Sequence, residues 1–120
     1  EPGGVGYIHA HGTSTPLGDK AETAAVKRVF REHARRLMLS STKSQLGHTL
    51  GASGGIAMVV CAMSLAHDTI APTINLETPD PLCDLDYTPQ TARSVRIDVA
   101  MSNSFGFGGH NTSLLLARIG

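Results

Sequence analysis

Apolar positions along the chain change period several times, and each change marks an element. Residues 5–10 (VGYIHA) form a short apolar run. Tyr7 and His9 fall on one face, but Val5 and Ile8 do not alternate cleanly, so the predicted strand is buried on both sides. Residues 11–18 (HGTSTPLG) are dense in turn formers and hydroxyls and read as a loop at the strand's carboxyl end. Asp19 opens a helix, with Glu22 at capping-box spacing. The predicted apolar face carries Ala25, Val26, Val29, Phe30 and His33, with Lys27, Arg28, Arg31, Glu32 and Arg35 largely opposite. This surface helix is expected to end near Leu37.

A second strand is predicted over 38–41. The polar, small-residue stretch Ser40-Ser41-Thr42-Lys43-Ser44-Gln45-Leu46-Gly47-His48 follows as a loop, and a second helix is predicted over 49–66. That helix is apolar all round, the pattern of a buried element. Gly51, Ala52, Ser53, Gly54 and Gly55 let its first turns approach another backbone closely, at a cost in helix propensity. Residues 71–90 hold four of the six prolines and predict extended segments and turns. Val95, Ile97, Val99 and Met101 alternate through a strand over 95–102. A glycine-rich loop is predicted over 103–111, then a final apolar strand over 112–118. The order βαβα, irregular arm, ββ predicts an α/β fold with a mixed or mostly parallel sheet covered by helices.

At 120 residues the chain is one domain or part of one. Ten basic and ten acidic residues cancel, so no global field argues for nucleic acid or membrane. Aromatics are scarce and Trp is absent, which argues against a stacking platform for single strands. The two cysteines, Cys61 and Cys83, have neither disulfide-framework nor zinc spacing, which fits a reducing, cytoplasmic compartment. The opening Glu1-Pro2-Gly3-Gly4 carries no signal-peptide pattern. The apolar stretch 50–66 falls short of the roughly 20 residues that span a bilayer and is interrupted by glycine and serine, so a buried central helix is expected.

Candidate chemistry gathers after the first two strands. If these are parallel neighbours, their carboxyl ends share one edge, and His11, Lys43 and His48 converge on one crevice. Two imidazoles there can donate to a substrate oxygen and stabilise charge developing on a carbonyl. The plainer reading has both histidines satisfied within their loops. A third uses His9, His11 and His48 as metal ligands, although no acidic or cysteine ligand sits nearby. Thr13 and Thr15 flank Ser14 and either bind a polar ligand arm or serve turn chemistry. Glu22 is either a helix cap or the carboxylate partner of Lys43. Phe105 and Phe107 sit on a glycine frame that acts as a gate or closes as a tight hairpin with Phe inward. The frame is no dinucleotide fingerprint, because GxGxxG is not met and a strand follows. Lys27, Arg28, Arg31, Arg35 and Arg36 make the first helix basic, either to dock an acidic partner or as a solvated face.

Taken together, these segments resemble the carboxyl-terminal half of a β-ketoacyl-(acyl carrier protein) synthase of the type that elongates fatty acids. The matching motifs are His11-Gly12-Thr13-Ser14-Thr15-Pro16-Leu17-Gly18-Asp19 with Glu22, and Ser41-Thr42-Lys43-Ser44 with Gly47-His48. Pro72-Thr73-Ile74-Asn75-Leu76, Pro79-Asp80-Pro81, Cys83-Asp84-Leu85-Asp86 and Asn103-Ser104-Phe105-Gly106-Phe107-Gly108-Gly109 complete the set. The likeness runs over essentially the whole chain. It implies the second half of a thiolase-like fold, with residues 1–120 as one synthase C-terminal domain.

The implied reaction is a decarboxylative Claisen condensation of an acyl group on a cysteine with malonyl-acyl carrier protein. By resemblance, His11 and His48 polarise the malonyl thioester carbonyl, and Lys43 with Glu22 holds the site together electrostatically. Thr13 and Thr15 match positions that bond the phosphopantetheine arm, and Phe105 and Phe107 belong to the substrate gate. That arm belongs to the carrier protein, so no cofactor of the chain's own is implied. The implied partners are acyl carrier protein, the missing amino-terminal half and a second copy in a homodimer.

The family's nucleophilic cysteine lies in the first half. Cys61 sits inside an apolar helix, where a thiol is packing, and Cys83 sits among aspartates that disfavour thiolate. The chain alone is therefore expected to be inactive. A polyketide ketosynthase and a non-catalytic chain-length partner are the competing members, and the full set His11, Lys43, His48 favours an enzyme over the second. His9 stands where the family usually has asparagine, and His110 where threonine is frequent.

Overall fold

A computed structural model describes residues 1–120. In chain order the elements are strand Tyr7–His9 (β1), helix Gly18–Phe30 (α1), strand Met38–Ser40 (β2), helix Lys43–Leu46 (α2) and helix Ser53–His67 (α3). Strands Thr69–Ile70 (β3), Arg93–Ser94 (β4), Val99–Phe105 (β5) and Asn111–Ala117 (β6) complete them. Four strands form one sheet in the order β2-β1-β5-β6. β1 runs parallel to both β2 and β5, and β5 pairs antiparallel with β6. The mixed sheet and its α/β order are those expected.

β1 is buried on both faces, as its unbroken apolar run requires. Ile8 faces α1 in a cluster with Val26, Phe30, Leu37 and Leu39. Tyr7 faces α3 in a second cluster with Cys61, Leu65, Ile97 and Ala100. The Tyr7 hydroxyl and Ser40 Oγ hydrogen bond at 2.8 Å, which satisfies both groups inside the core. One helix therefore covers each face of the sheet, and β6 is left as an exposed edge.

Several expectations need correction. α3 is not buried all round: Ala57, Cys61, Ser64 and Leu65 face the sheet, while Val59 and Met63 are 62% and 52% exposed. By length and composition Leu50–His67 would be long enough to cross a membrane, yet this inner stripe packs it on the sheet. The α1 stripe is Glu22, Thr23, Val26 and Phe30, at i, i+4, i+8 spacing, and Ala25 and Val29 face outward. The α-helix stops at Phe30, where Arg31 takes φ 51°, and a 3₁₀ segment Arg31–Arg36 continues it.

The predicted strand over 95–102 starts at Val99. Its apolar alternation bridges a break, because Arg93–Ser94 pairs with Thr69–Ile70 and Val95 N–H donates to Asp68 O. Asn103 to Phe105 belong to β5, so the glycine-rich turn is shorter than expected. Residues 71–90 form the irregular arm that their prolines require. Thr73 and Pro89 bridge within it, and Thr88 donates to Leu39 O to tie it to β2.

Candidate active site

The parallel pairing of β1 and β2, with His9 opposite Ser40, brings the two following loops to one edge of the sheet. His11 and His48 meet there with ring centroids 5.7 Å apart and planes at 88°. The His11 ring also lies 5.2 Å from Phe105, at the end of β5. Lys43 starts α2 between them. Thr13, Thr15, Glu22, Lys43 and His48 line one cavity of about 710 Å³, whose far wall is the arm from Thr73 to Cys83. The strand order brings His11 to His48 as expected, and Lys43 and His48 line the cavity while His11 stands behind His48 outside its lining.

Glu22 is not a cap. No side chain caps α1, whose N-cap is Leu17. Instead the buried Glu22 carboxylate accepts His11 N–H at 3.0 Å, Gly12 N–H at 3.1 Å and the Asn103 amide at 3.1 Å. Ser113 in turn donates to the Asn103 carbonyl oxygen at 2.7 Å. Glu22 forms no ion pair with Lys43 but holds a negative charge near it. Burial lowers the Lys43 pKa, and that carboxylate opposes the drop. Asp19 accepts the Ser14 N–H, so both carboxylates of the expected capping box bind the loop instead. Gly12, at φ 46°, lets the loop pass Ser41, whose Cβ would lie 2.7 Å from any added Cβ.

His48 is set locally. Gly47 ends α2 at φ 76° and ψ −179°, a conformation essentially restricted to glycine, and turns the chain outward. Leu50 N–H then donates to His48 Nδ1 at 3.1 Å, and Ser53 Oγ lies 3.0 Å from the same nitrogen. A backbone N–H only donates, so Nδ1 is unprotonated and Nε2 carries the proton of the neutral ring. His48 is thus a hydrogen-bond donor at its free end. The His11 pKa is lowered, first by burial and then by the charges of Lys43 and His48, which favours the neutral ring.

Thr15 Oγ1 accepts Gly18 N–H at 3.1 Å, so it starts α1 as well as facing the cavity. Phe107 stands 90% exposed on its turn, outside any packed hairpin. His9 does not join a metal set: its Nε2 accepts Thr42 N–H, and no group of three His, Cys, Asp or Glu is placed to hold an ion. Cys61 is buried, and burial pushes its thiol up to about 11. Sequence reasoning passed over Asn103, Thr42 and Ser53. Asn103 lay inside a quoted motif, but only the folded chain puts its amide on Glu22.

Residues 1–77 match the family model described as beta-ketoacyl synthase, C-terminal domain. The chain belongs to this family. It is 57% identical over 98% of its length to the 3-oxoacyl-[acyl-carrier-protein] synthase 2 of Synechocystis sp., and 52% identical to that of Coxiella burnetii. It spans 28% of the length of each of these two relatives. Among solved structures, a β-ketoacyl synthase from Burkholderia phymatum superposes with a TM-score of 0.91 at 44% identity, over 98% of this chain and 28% of that one. A type II polyketide ketosynthase solved with its acyl-carrier protein superposes at 0.97 with 38% identity, over 100% of this chain and 29% of that one. The fold is therefore that of the ketosynthase C-terminal domain.

Proposed function

We propose that this chain is the carbonyl-polarising part of a condensing enzyme, a 3-oxoacyl-[acyl-carrier-protein] synthase of fatty acid biosynthesis. The meeting of His11 with His48, which itself lines the cavity, carries the reading. Loss of carbon dioxide from a malonyl thioester leaves its electron pair on the enolate, with negative charge on the thioester oxygen. Two imidazole N–H donors fixed at that oxygen stabilise the charge as it forms, and they are oriented before the reaction begins. His48 offers Nε2–H, because Leu50 N–H occupies its other nitrogen. The carbanion then attacks the carbonyl of an acyl thioester on a cysteine supplied by the remainder of the protein, since the buried Cys61 is held protonated. The new C–C bond forms as the acyl C–S bond breaks, and the cysteine leaves as thiolate.

Lys43 supplies a fixed positive charge and Glu22 the anchor of the His11 loop. Thr13 and Thr15 line the cavity as hydroxyl partners for a pantetheine arm. Acyl carrier protein is the partner that delivers both substrates, and the likeness to a ketosynthase solved with such a protein supports it. Work in the cytoplasm as a homodimer completes the reading. A second reading, a polyketide ketosynthase, is favoured by the high superposition on polyketide enzymes. The higher identities to fatty-acid synthases favour the first.

The test joins this chain to the remainder of a 3-oxoacyl synthase and measures malonyl decarboxylation. The His48→Ala protein is expected to lose it by at least about a hundredfold, the scale of one lost donor at a developing oxyanion. Retained decarboxylation in a folded His48→Ala protein sinks the reading.

A further inference from the structure

His9 is a buried imidazole that the proposed reaction does not use. It is 2% exposed, on the α3 side of β1. Its Nε2 lies 2.9 Å from Thr42 Oγ1 and accepts the Thr42 backbone N–H at 3.3 Å. The N–H fixes Nε2 as the acceptor, so Nδ1 carries the proton, and that nitrogen is buried without a partner. A buried donor left unpaired is costly, so the grip on Thr42 is retained against a penalty. Burial, then the nearby Lys43 charge, lowers the His9 pKa to about 4, which keeps the ring neutral and accepting.

Thr42 is the N-cap of α2, yet its hydroxyl makes no capping bond there. It is turned back to His9 instead. β1 and β2 are in register at His9 and Ser40, so Thr42 lies two residues past the strand partner, and the imidazole spans that offset. Lys43 follows directly, and four residues later Gly47 turns the chain to His48. α2 is a single turn with no buried residue of its own. Ser41 and Ser44 tie it to Gly12, Thr73 and Ile74 on the loop and arm side, and His9 is the contact that holds Thr42 to β1.

We propose that His9 is a positioning residue: its unprotonated Nε2 grips both donors of Thr42 and so fixes the turn that carries Lys43 and leads to His48. This rests on the condensing reading for its kinetic consequence, although the grip itself is a structural claim.

The test uses the full-length protein that carries the chain and compares His9→Phe, which keeps a ring but no acceptor, with His9→Gln, which restores one, and with Thr42→Ala. In His9→Phe, kcat for malonyl decarboxylation is expected to fall about tenfold with KM within about twofold, as for a misplaced group that binds no substrate. His9→Gln should recover most of the loss. Combining His9→Phe with Thr42→Ala should cost no more than His9→Phe alone, because the contact that Thr42→Ala removes is already lost with the imidazole. Amide exchange at Thr42 and Lys43 should quicken in His9→Phe, a readout independent of the reaction.

Unchanged exchange and kcat in a folded His9→Phe protein, or additive losses in the double variant, overturn the proposal. If His9→Phe fails to fold, His9→Gln and Thr42→Ala decide: lower kcat and quicker amide exchange at Lys43 at unchanged melting temperature support the grip, and unchanged kcat and exchange in both overturn it. Decarboxylation retained by His48→Ala condemns the condensing reading alone, since hydrogen exchange still judges His9.

Discussion

The two histidines reach one spot by opposite means. His11 is held by the tertiary fold: Glu22 comes from α1, Asn103 from β5, and Phe105 packs against the ring. These partners lie between 11 and 94 residues away along the chain. His48 is exposed, and the groups that set its ring directly lie within five residues: Gly47, Leu50 and Ser53. One half of the candidate oxyanion site is thus a property of the core and the other a property of a local turn. Damage to the first should appear in stability and activity together. Damage to the second should appear in activity alone.

The largest effect tests the tertiary side. Glu22→Ala leaves His11 N–H, Gly12 N–H and the Asn103 amide without their shared acceptor. Unpaired buried donors predict a loss of about 3 kcal/mol in unfolding free energy. Decarboxylation is expected to fall with it, and Glu22→Gln should lose less of both, because one oxygen remains. Denaturant unfolding and decarboxylation rates on the same samples check this. Lost activity at full stability would show that the His11 loop is not held by the core, and the contrast would collapse.

A smaller effect tests the local side. Ser53→Ala removes one of the two partners of His48 Nδ1 and leaves Leu50 N–H in place. One net hydrogen bond of about 1 kcal/mol predicts a fall of about fivefold in decarboxylation. The melting temperature should not move, because Ser53 Oγ otherwise meets only the exposed Thr49 hydroxyl. A drop in melting temperature equal to that of Glu22→Gln would erase the distinction between the two sides.

The same contrast explains what could be read from the sequence. The alternation of strand and helix and the loop after the first strand were legible because they rest on local periodicity and turn formers. The stretch after the second strand, expected as a loop, holds the short helix α2, whose one turn leaves too little pattern to read. The site followed from topology: two parallel neighbours must end on one edge, which placed His11, Lys43 and His48 together. What failed depended on distant partners. Glu22 was open to two roles, helix cap or ion-pair partner of Lys43, yet its carboxylate is taken by a neighbouring loop and by a residue 81 positions on. An apolar helix with no polar side does not reveal which stripe meets the sheet, so the exposed Val59 and Met63 were read as buried. Val95 and Ile97 kept the alternation of β5 going across a change of sheet, since period two does not record which strand it pairs with.

Phe107 marks the extreme of the local side and should give the smallest stability change. It stands 90% exposed on a turn whose Gly108 and Gly109 take φ 76° and 83°. Only the Gly106 N–H to His110 O bond, 2.6 Å long, closes that turn. Phe105, two residues earlier, packs on His11, so one short segment contains both a fixed and an unpacked aromatic. Phe107→Ala removes almost no buried area, and its unfolding free energy should stay within about 0.5 kcal/mol. The gate role that the family resemblance implies for Phe107 predicts that its removal nonetheless changes the rate of acyl transfer severalfold. Single-turnover acylation of the full-length protein measures this. An identical time course would leave the turn a passive link between β5 and β6, and the substrate gate would then have to be sought at Phe105.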